Sequence, residues 1–361
     1  MINFWVRKGV SGFRLDAIDS ISKDVDRKIT HAGPEIHDYL REMYLNTFGK
    51  NKDLFTVGET AVVDPKTAKR YTDPNHEELD MIFQFELMGI DGVRSGNWDP
   101  KKFTLIDLKK VMSKWQEALN EISWNSLFWD NHDFPRVVSR FGNDSEKWRT
   151  ISAKMLTTLL HGMKGIPYIY QGEELGMTNI QLNSINDYRD IESKNFYKQK
   201  SEEGWTNEEI MNSIYRNSRD NARTPMQWNN TEKGGFTKGE PWIKVNPNYT
   251  SINAEDSMKD PNSIFYYYQK LLSLRNENEV LVYGDYHLLR PDHHQVFAYS
   301  RTFGNHKVLV VGNFYDKDTE INLQVTGEKT PEILISNYED TSKALNDLKL
   351  RPYEAVIYRI D

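Results

Sequence analysis

The chain has no cysteine among its 361 residues, which excludes disulfides and thiolate metal sites and is compatible with a reducing cytoplasm, the expected location. It also lacks any apolar run near the roughly 18 residues of a membrane-spanning helix, and its N-terminus has no charged stretch leading into an apolar core and cleavage site. No membrane partner is expected. Nor is there a block of one sign of charge: the net −7 comes from interspersed acidic and basic residues, so nucleic acid is not an expected partner either. Repeats and low-complexity tracts are absent. What is present is length and apolar content sufficient for one large core plus a smaller domain. Aromatics are plentiful, with 9 Trp and 19 Tyr, a supply for sugar-stacking surfaces as well as for ordinary core.

From the start to about residue 175, short apolar runs alternate with amphipathic stretches, the pattern of an α/β region with a parallel sheet. Residues 2–8 read as the end of a helix stopped by Gly9, and Gly12-Phe13-Arg14-Leu15-Asp16 as a strand. The spacing predicts a helix over 34–48, strands at 54–58, 81–85, 126–129 and 166–170, and amphipathic helices over 106–121 and 147–163. Five strands are three short of a closed (β/α)8 barrel. Residues 176–260 are polar and read as a loop-rich excursion with short helices and no core of their own. One further helix spans 265–276. From about 281 to 361, alternating segments separated by Gly, Asn and Asp turns predict an antiparallel β-sandwich domain.

Three strand ends finish in carboxylates: Asp16, Glu59 after Thr56-Val57-Gly58, and Asp133 in Trp129-Asp130-Asn131-His132-Asp133. Active-site residues of a parallel barrel project from the C-terminal ends of its strands, so side chains far apart in sequence can converge there. A single acidic residue at a strand end is most simply a turn former or helix cap. Three together point instead to glycoside hydrolysis, in which one carboxylate attacks the anomeric carbon and a second, protonated, delivers a proton to the leaving oxygen. Strand alternation puts Arg14 on the same face as Asp16, where a guanidinium would hold the carboxylate ionised. His161 reads as a packed or surface histidine rather than a ligand, and His293-His294 as a solvent-facing pair in a hairpin turn.

Gly12 to Asp16, Thr56 to Glu59 and Phe128 to Asp133 resemble the second, third and fourth signature regions of the α-amylase superfamily of retaining glycoside hydrolases. Two further stretches, 165–177 and Ser218-Arg219-Asp220-Asn221-Ala222-Arg223-Thr224-Pro225-Met226-Gln227-Trp228, resemble its oligo-1,6-glucosidase and α-glucosidase subfamily. The resemblance implies Asp16 as nucleophile, Glu59 as general acid/base and Asp133 as a group gripping sugar hydroxyls beside His132, with Arg219 or Arg223 near the non-reducing end of the sugar. It implies neither metal nor cofactor, a small oligosaccharide as substrate, and a residue after the nucleophile, here Ala17, that biases linkage toward α-1,4. Isomaltose-type α-1,6 substrates stand nearly level with maltose-type ones. Trehalose-6-phosphate hydrolysis, transglycosylation through the same covalent intermediate, and a non-catalytic binding or scaffold relic are the alternatives.

The family's first signature, an Asp…Asn-His motif, is not in this sequence, and neither are its first three strands. The resemblance therefore implies a partial (β/α)8 TIM barrel, about strands 4 to 8, over residues 1–280, with the missing N-terminal barrel segment as a partner. Asp130 and Phe134 stand where relatives usually have Asn and Gln.

Overall fold

Gly58 sits in the middle of a strand because nothing larger fits: a Cβ there would come within 2.7 and 2.9 Å of the side chains of Leu79 and Ile18, the close approach for which glycine is kept in strands. That strand belongs to a computed structural model describing residues 1–92, 98, 103–325 and 330–361. The described chain forms two compact units, one of Met1–Gly89, Leu108–Leu127 and Lys164–Ile166, the other of Ile90–Asp107, Phe128–Met163 and Pro167–Asp361.

In the first unit, Gly12–Leu15 (β1) pairs in parallel with Phe55–Glu59 (β2), and β2 with Met81–Phe83 (β3). Parallel neighbours need a crossover, and helices Ile36–Asn46 and Pro65–Thr72 lie between the paired strands in sequence. The second helix was not foreseen, although its signals are local: Asp64 caps it by accepting the Thr67 N–H at 2.7 Å, and Pro65 opens it. Ile36, Leu40, Ala68, Tyr71, Trp115 and Leu119 gather in one buried cluster with Ile18, Leu79 and Ile82. The first helix, Ile2–Arg7, buries none of its residues, and Gly9 ends it in the left-handed region at φ +90°.

Ser126–Leu127 (β4) and Ile166–Pro167 (β5) make a two-stranded sheet. Both are shorter than the apolar runs suggest, and for β5 the reason is Pro167, which has no N–H to extend a ladder. Five strands of the α/β region are thus seen among the described residues.

The second unit is built on an antiparallel five-stranded sheet. Asp285–Leu289 (β6), Val296–Phe303 (β7), His306–Asn313 (β8), Glu332–Ser336 and Ala355–Arg359 lie in the order fourth, fifth, third, second, first. Thr319–Ile321 pairs with Leu348–Leu350 in a second small sheet. Val296, Leu309, Val311, Ile321, Leu348, Leu350 and Val356 share one core, the packing of a sandwich. The helix Arg149–His161 is buried from Ser152 to His161, so it lacks the polar face of the amphipathic helix expected over 147–163. Tyr299 of β7 donates its O–H to the Leu159 carbonyl at 2.8 Å.

The segment 176–260 requires a correction, because it does carry a core. Helices Ile191–Glu202 and Asn207–Asn217 bury Phe196, Ile210 and Ile214 with Ile180, Leu182, Tyr188 and Trp98. Few apolar residues suffice here since they sit one turn apart on facing sides, and the remaining positions are polar because they meet solvent. Caps are strong: Asp190 accepts the Ser193 N–H, and Thr206 with Glu209 forms a capping box.

Candidate active site

Asp16 follows β1 directly, and Glu59 is the last residue of β2. Parallel pairing of these strands aligns Arg14 with Val57 and Leu15 with Gly58, bringing both carboxylates to the same strand ends. Arg14 joins them. Its Nη1 donates to Asp16 Oδ1, and its Nη2 lies 3.0 Å from Glu59 Oε2. Glu59 Oε2 also accepts the Ala17 N–H at 2.9 Å. Ala17 reaches it by adopting the left-handed region, φ 42° and ψ 43°, an uncommon conformation for a residue with a Cβ. The Asp16 side chain is 78% exposed and that of Glu59 only 17%, so the former is presented to solvent while the latter is largely enclosed.

Asp19 holds this turn together, and sequence reasoning missed it. It is fully buried, and its Oδ2 accepts the Ala61 N–H at 2.6 Å, tying the segment after Asp16 to the segment after Glu59. An acidic residue three positions beyond Asp16 was a visible signal, but only pairing of β1 with β2 shows what it reaches.

In the second unit, Asp133 lies in a turn set by Asn131, whose side-chain oxygen accepts the Asp133 N–H at 2.7 Å. His132 Nε2 is 3.3 Å from Asp133 Oδ2. Of the two arginines left open by the sequence, Arg223 makes the direct contact: Nη2 donates to Asp133 Oδ1 at 2.6 Å and Nε to the His132 carbonyl at 2.7 Å. Arg219 stands further off, 3.7 Å from the same Oδ1, because Asp190 holds it through two hydrogen bonds of 2.6 and 3.0 Å. Burial works against the Arg219 charge, but Asp190, Glu192 and Asp133 outweigh it, and its pKa lies above the ordinary arginine value.

Asp130, Arg136 and Glu173 are buried polar residues whose charges act on one another. Arg136 donates from Nη1 to the Gln171 carbonyl at 2.6 Å, from Nε to Asn221 and from Nη2 to Ala222, the last two at 3.2 Å. One side chain therefore spans the segment bearing His132 and Asp133 and the turn bearing Arg219 and Arg223. Asp190, Arg136 and Glu173 were not predicted. His161 is fully buried, with no hydrogen-bond partner on either ring nitrogen among the described residues. In the loop before β7, His294 is exposed, whereas His293 turns its Nδ1 toward the Gln295 and Val296 N–H groups at 3.2 and 3.0 Å. No three His, Asp or Glu side chains gather in a metal-holding group among the described residues, and no helix among them is long and apolar enough to cross a membrane.

The alpha amylase catalytic domain family matches residues 1–284, and the C-terminal domain family of the alpha-amylase SusG matches residues 296–357. The chain is 48% identical to the oligo-1,6-glucosidase of Parageobacillus thermoglucosidasius over 100% of its own length and 67% of the relative's. It is 46% identical to the glucan 1,6-alpha-glucosidase of Streptococcus pneumoniae, over 98% of this chain and 66% of that one. The crystal structure of Bacillus licheniformis trehalose-6-phosphate hydrolase superposes with a TM-score of 0.94 at 43% identity, covering 99% of this chain and 66% of that one. The chain thus spans about two thirds of the length of these relatives. With its strand-end carboxylates, its antiparallel C-terminal sheet and this identity along the whole chain, the protein belongs to the alpha-amylase family of glycoside hydrolases, among its α-glucosidases of the oligo-1,6-glucosidase type.

Proposed function

We propose that the protein is an exo-acting, retaining α-glucosidase that removes terminal glucose from short α-linked oligosaccharides. The observation that carries this reading is the Arg14 guanidinium shared by Asp16 and Glu59. Retaining hydrolysis needs two carboxyl groups about 5–5.5 Å apart, and two carboxyl groups bound to one guanidinium are held close. Asp16 attacks the anomeric carbon as Glu59 protonates the departing oxygen. Water then breaks the glycosyl ester, with Glu59 now accepting a proton from it. Asp133, His132 and Arg223 offer acceptors and donors to sugar hydroxyls, with Arg219 behind them.

The substrate we favour is isomaltose-type, since two of the three relatives named above are 1,6-glucosidases by name, while Ala17 pulls toward maltose-type bonds. The chain spans about two thirds of the length of these relatives. We propose that residues 1–280 supply about strands 4 to 8 of a (β/α)8 barrel and that an N-terminal barrel segment completes the enzyme. The decisive experiment treats the chain, alone and joined to the N-terminal third of the Parageobacillus relative, with a 2-deoxy-2-fluoro-glucoside that traps the glycosyl-enzyme. Mass spectrometry should find the label on Asp16. Label on another residue would overturn the mechanism, whereas turnover by the 361-residue chain alone equal to that of the joined form would overturn only the need for a partner.

A further inference from the structure

Asp130 and Glu173 are buried carboxyl groups with 2% and 4% exposure, and their hydrogen bonds do not balance unless one carries a proton. Asp130 Oδ2 accepts the Val137 N–H at 3.0 Å. No N–H or O–H group of the described residues reaches Oδ1. Glu173 Oε1 accepts the Tyr268 O–H, and Oε2 the Tyr170 N–H at a long 3.4 Å. The two side chains lie within reach of each other. Ionised carboxylates only accept, so a hydrogen bond between them requires a proton on one of them. The charge count agrees. Arg136 is the buried cation facing both, and it stays protonated in any protein. One shared proton leaves the trio neutral, whereas two ionised carboxylates would strand a buried negative charge.

We propose that Asp130 and Glu173 share a single proton at neutral pH and that, with Arg136, they form a buried clamp positioning the segment of His132 and Asp133 against the turn of Arg219 and Arg223. The clamp is distinct from the sugar-binding groups and holds whether or not the glucosidase reading does. Its remaining neighbours are accounted for. Arg140 lies on the helix after Arg136, Glu174 and Tyr170 flank Glu173, and Tyr268 packs against His161 from a separate helix. Burial pushes the Glu173 carboxyl well above the ordinary carboxylate range, with Asp130 adding to it, and burial raises Asp130 against the pull of Arg136. For groups raised in this way, the stabilisation is complete below the ordinary values of 3.8 and 4.5 and is lost as pH rises through the folded-state values.

Asp130→Asn tests the clamp, because the amide keeps an acceptor for Val137 N–H and offers Glu173 a permanent donor in place of the proton. Glu173→Gln performs the same exchange from the other side. Infrared difference spectra of the full chain at neutral pH should show the carbonyl stretch of a buried protonated carboxyl, shifted in deuterium oxide and lost in each single variant. Thermal melts from about pH 5 to about pH 8 should fall more steeply for the parent chain than for Asp130→Asn. The double variant strands the Arg136 charge and should melt lower than the two single effects together predict. Single-variant spectra identical to the parent's, or parallel melting curves across that pH range, would overturn the proposal. Either single variant suffices if the other does not fold.

Discussion

Arg223 holds Asp133 and the backbone beside it at once, with Nη2 on the carboxylate at 2.6 Å and Nε on the His132 carbonyl at 2.7 Å. That two-point grip orients the carboxylate, and a single ammonium cannot reproduce its planar fork. Arg223→Lys should therefore lower kcat/KM for an aryl α-glucoside by about 10- to 100-fold, the worth of one charged hydrogen bond. Arg219→Lys should cost clearly less, because Arg219 reaches Asp133 only at 3.7 Å. Steady-state kinetics of both variants in an active preparation, such as the joined form, check the order; a reversed order would assign the direct role to Arg219.

Ala17 carries two demands, and they oppose one another. Its neighbourhood with Asp16 makes it a linkage-biasing position, while its backbone lies in the left-handed region. Ala17→Val should raise the ratio of isomaltose to maltose hydrolysis by roughly tenfold, within the 1–3 kcal/mol that a methyl-scale change can supply. It should also lower stability by on the order of 1 kcal/mol, since a branched Cβ is poorly tolerated at positive φ. Competition assays and thermal melts read the two effects separately.

His161 supplies an acid-side prediction. Burial, with Arg275 nearby, depresses its pKa from 6.5 to about 3. Unfolded chains take up that proton as pH falls below 6.5 while the folded one does not, so the buried neutral ring stabilises the fold above that value and its contribution is lost as pH falls through the window. His161→Leu, which leaves no imidazole to protonate, should reduce the loss of stability between about pH 6.5 and pH 4 by up to about 1.4 kcal/mol per pH unit. Chemical denaturation at several pH values measures the slope; equal slopes would refute the assignment.

Arg301 is an internal strut of the second unit. Fully buried, it donates to the Gly162 carbonyl at 2.7 Å, Gly284 at 2.8 Å and Leu281 at 3.1 Å, and burial lowers its pKa to about 9. These carbonyls lie at or near helix ends, where the backbone has no partner of its own. Arg301→Met keeps much of the volume but leaves several buried acceptors empty, so a stability loss of about 3 kcal/mol or more is expected. Urea denaturation checks the size; a loss under about 1 kcal/mol would show that the carbonyls find other donors.

Much of the fold was legible because its signals are local. Gly9 ending a helix and the alternation of β7 and β8 each follow from a few adjacent residues. Strand ends were read less well, as at Ile166–Pro167, because a ladder depends on a partner strand that no local pattern reports. The core within 176–260 escapes a local reading for a related reason: Phe196 and Ile214 look isolated in a polar stretch until tertiary packing joins them with each other and with Trp98.

By itself, the sequence determined the chemistry on offer: acidic residues after three apolar runs, an arginine two positions before the first, and a spacing that ties them to one reaction class. Tertiary structure decided the contacts. It alone puts Arg223 closer to Asp133 than Arg219, reveals the Asp19 hold on Ala61, and shows that Asp130 and Glu173 are both buried away from water. Each of these pairs residues that are tens of positions apart, and chain composition cannot report such a meeting. Its energy depends on burial and on which donors and acceptors remain once the chain has closed around them.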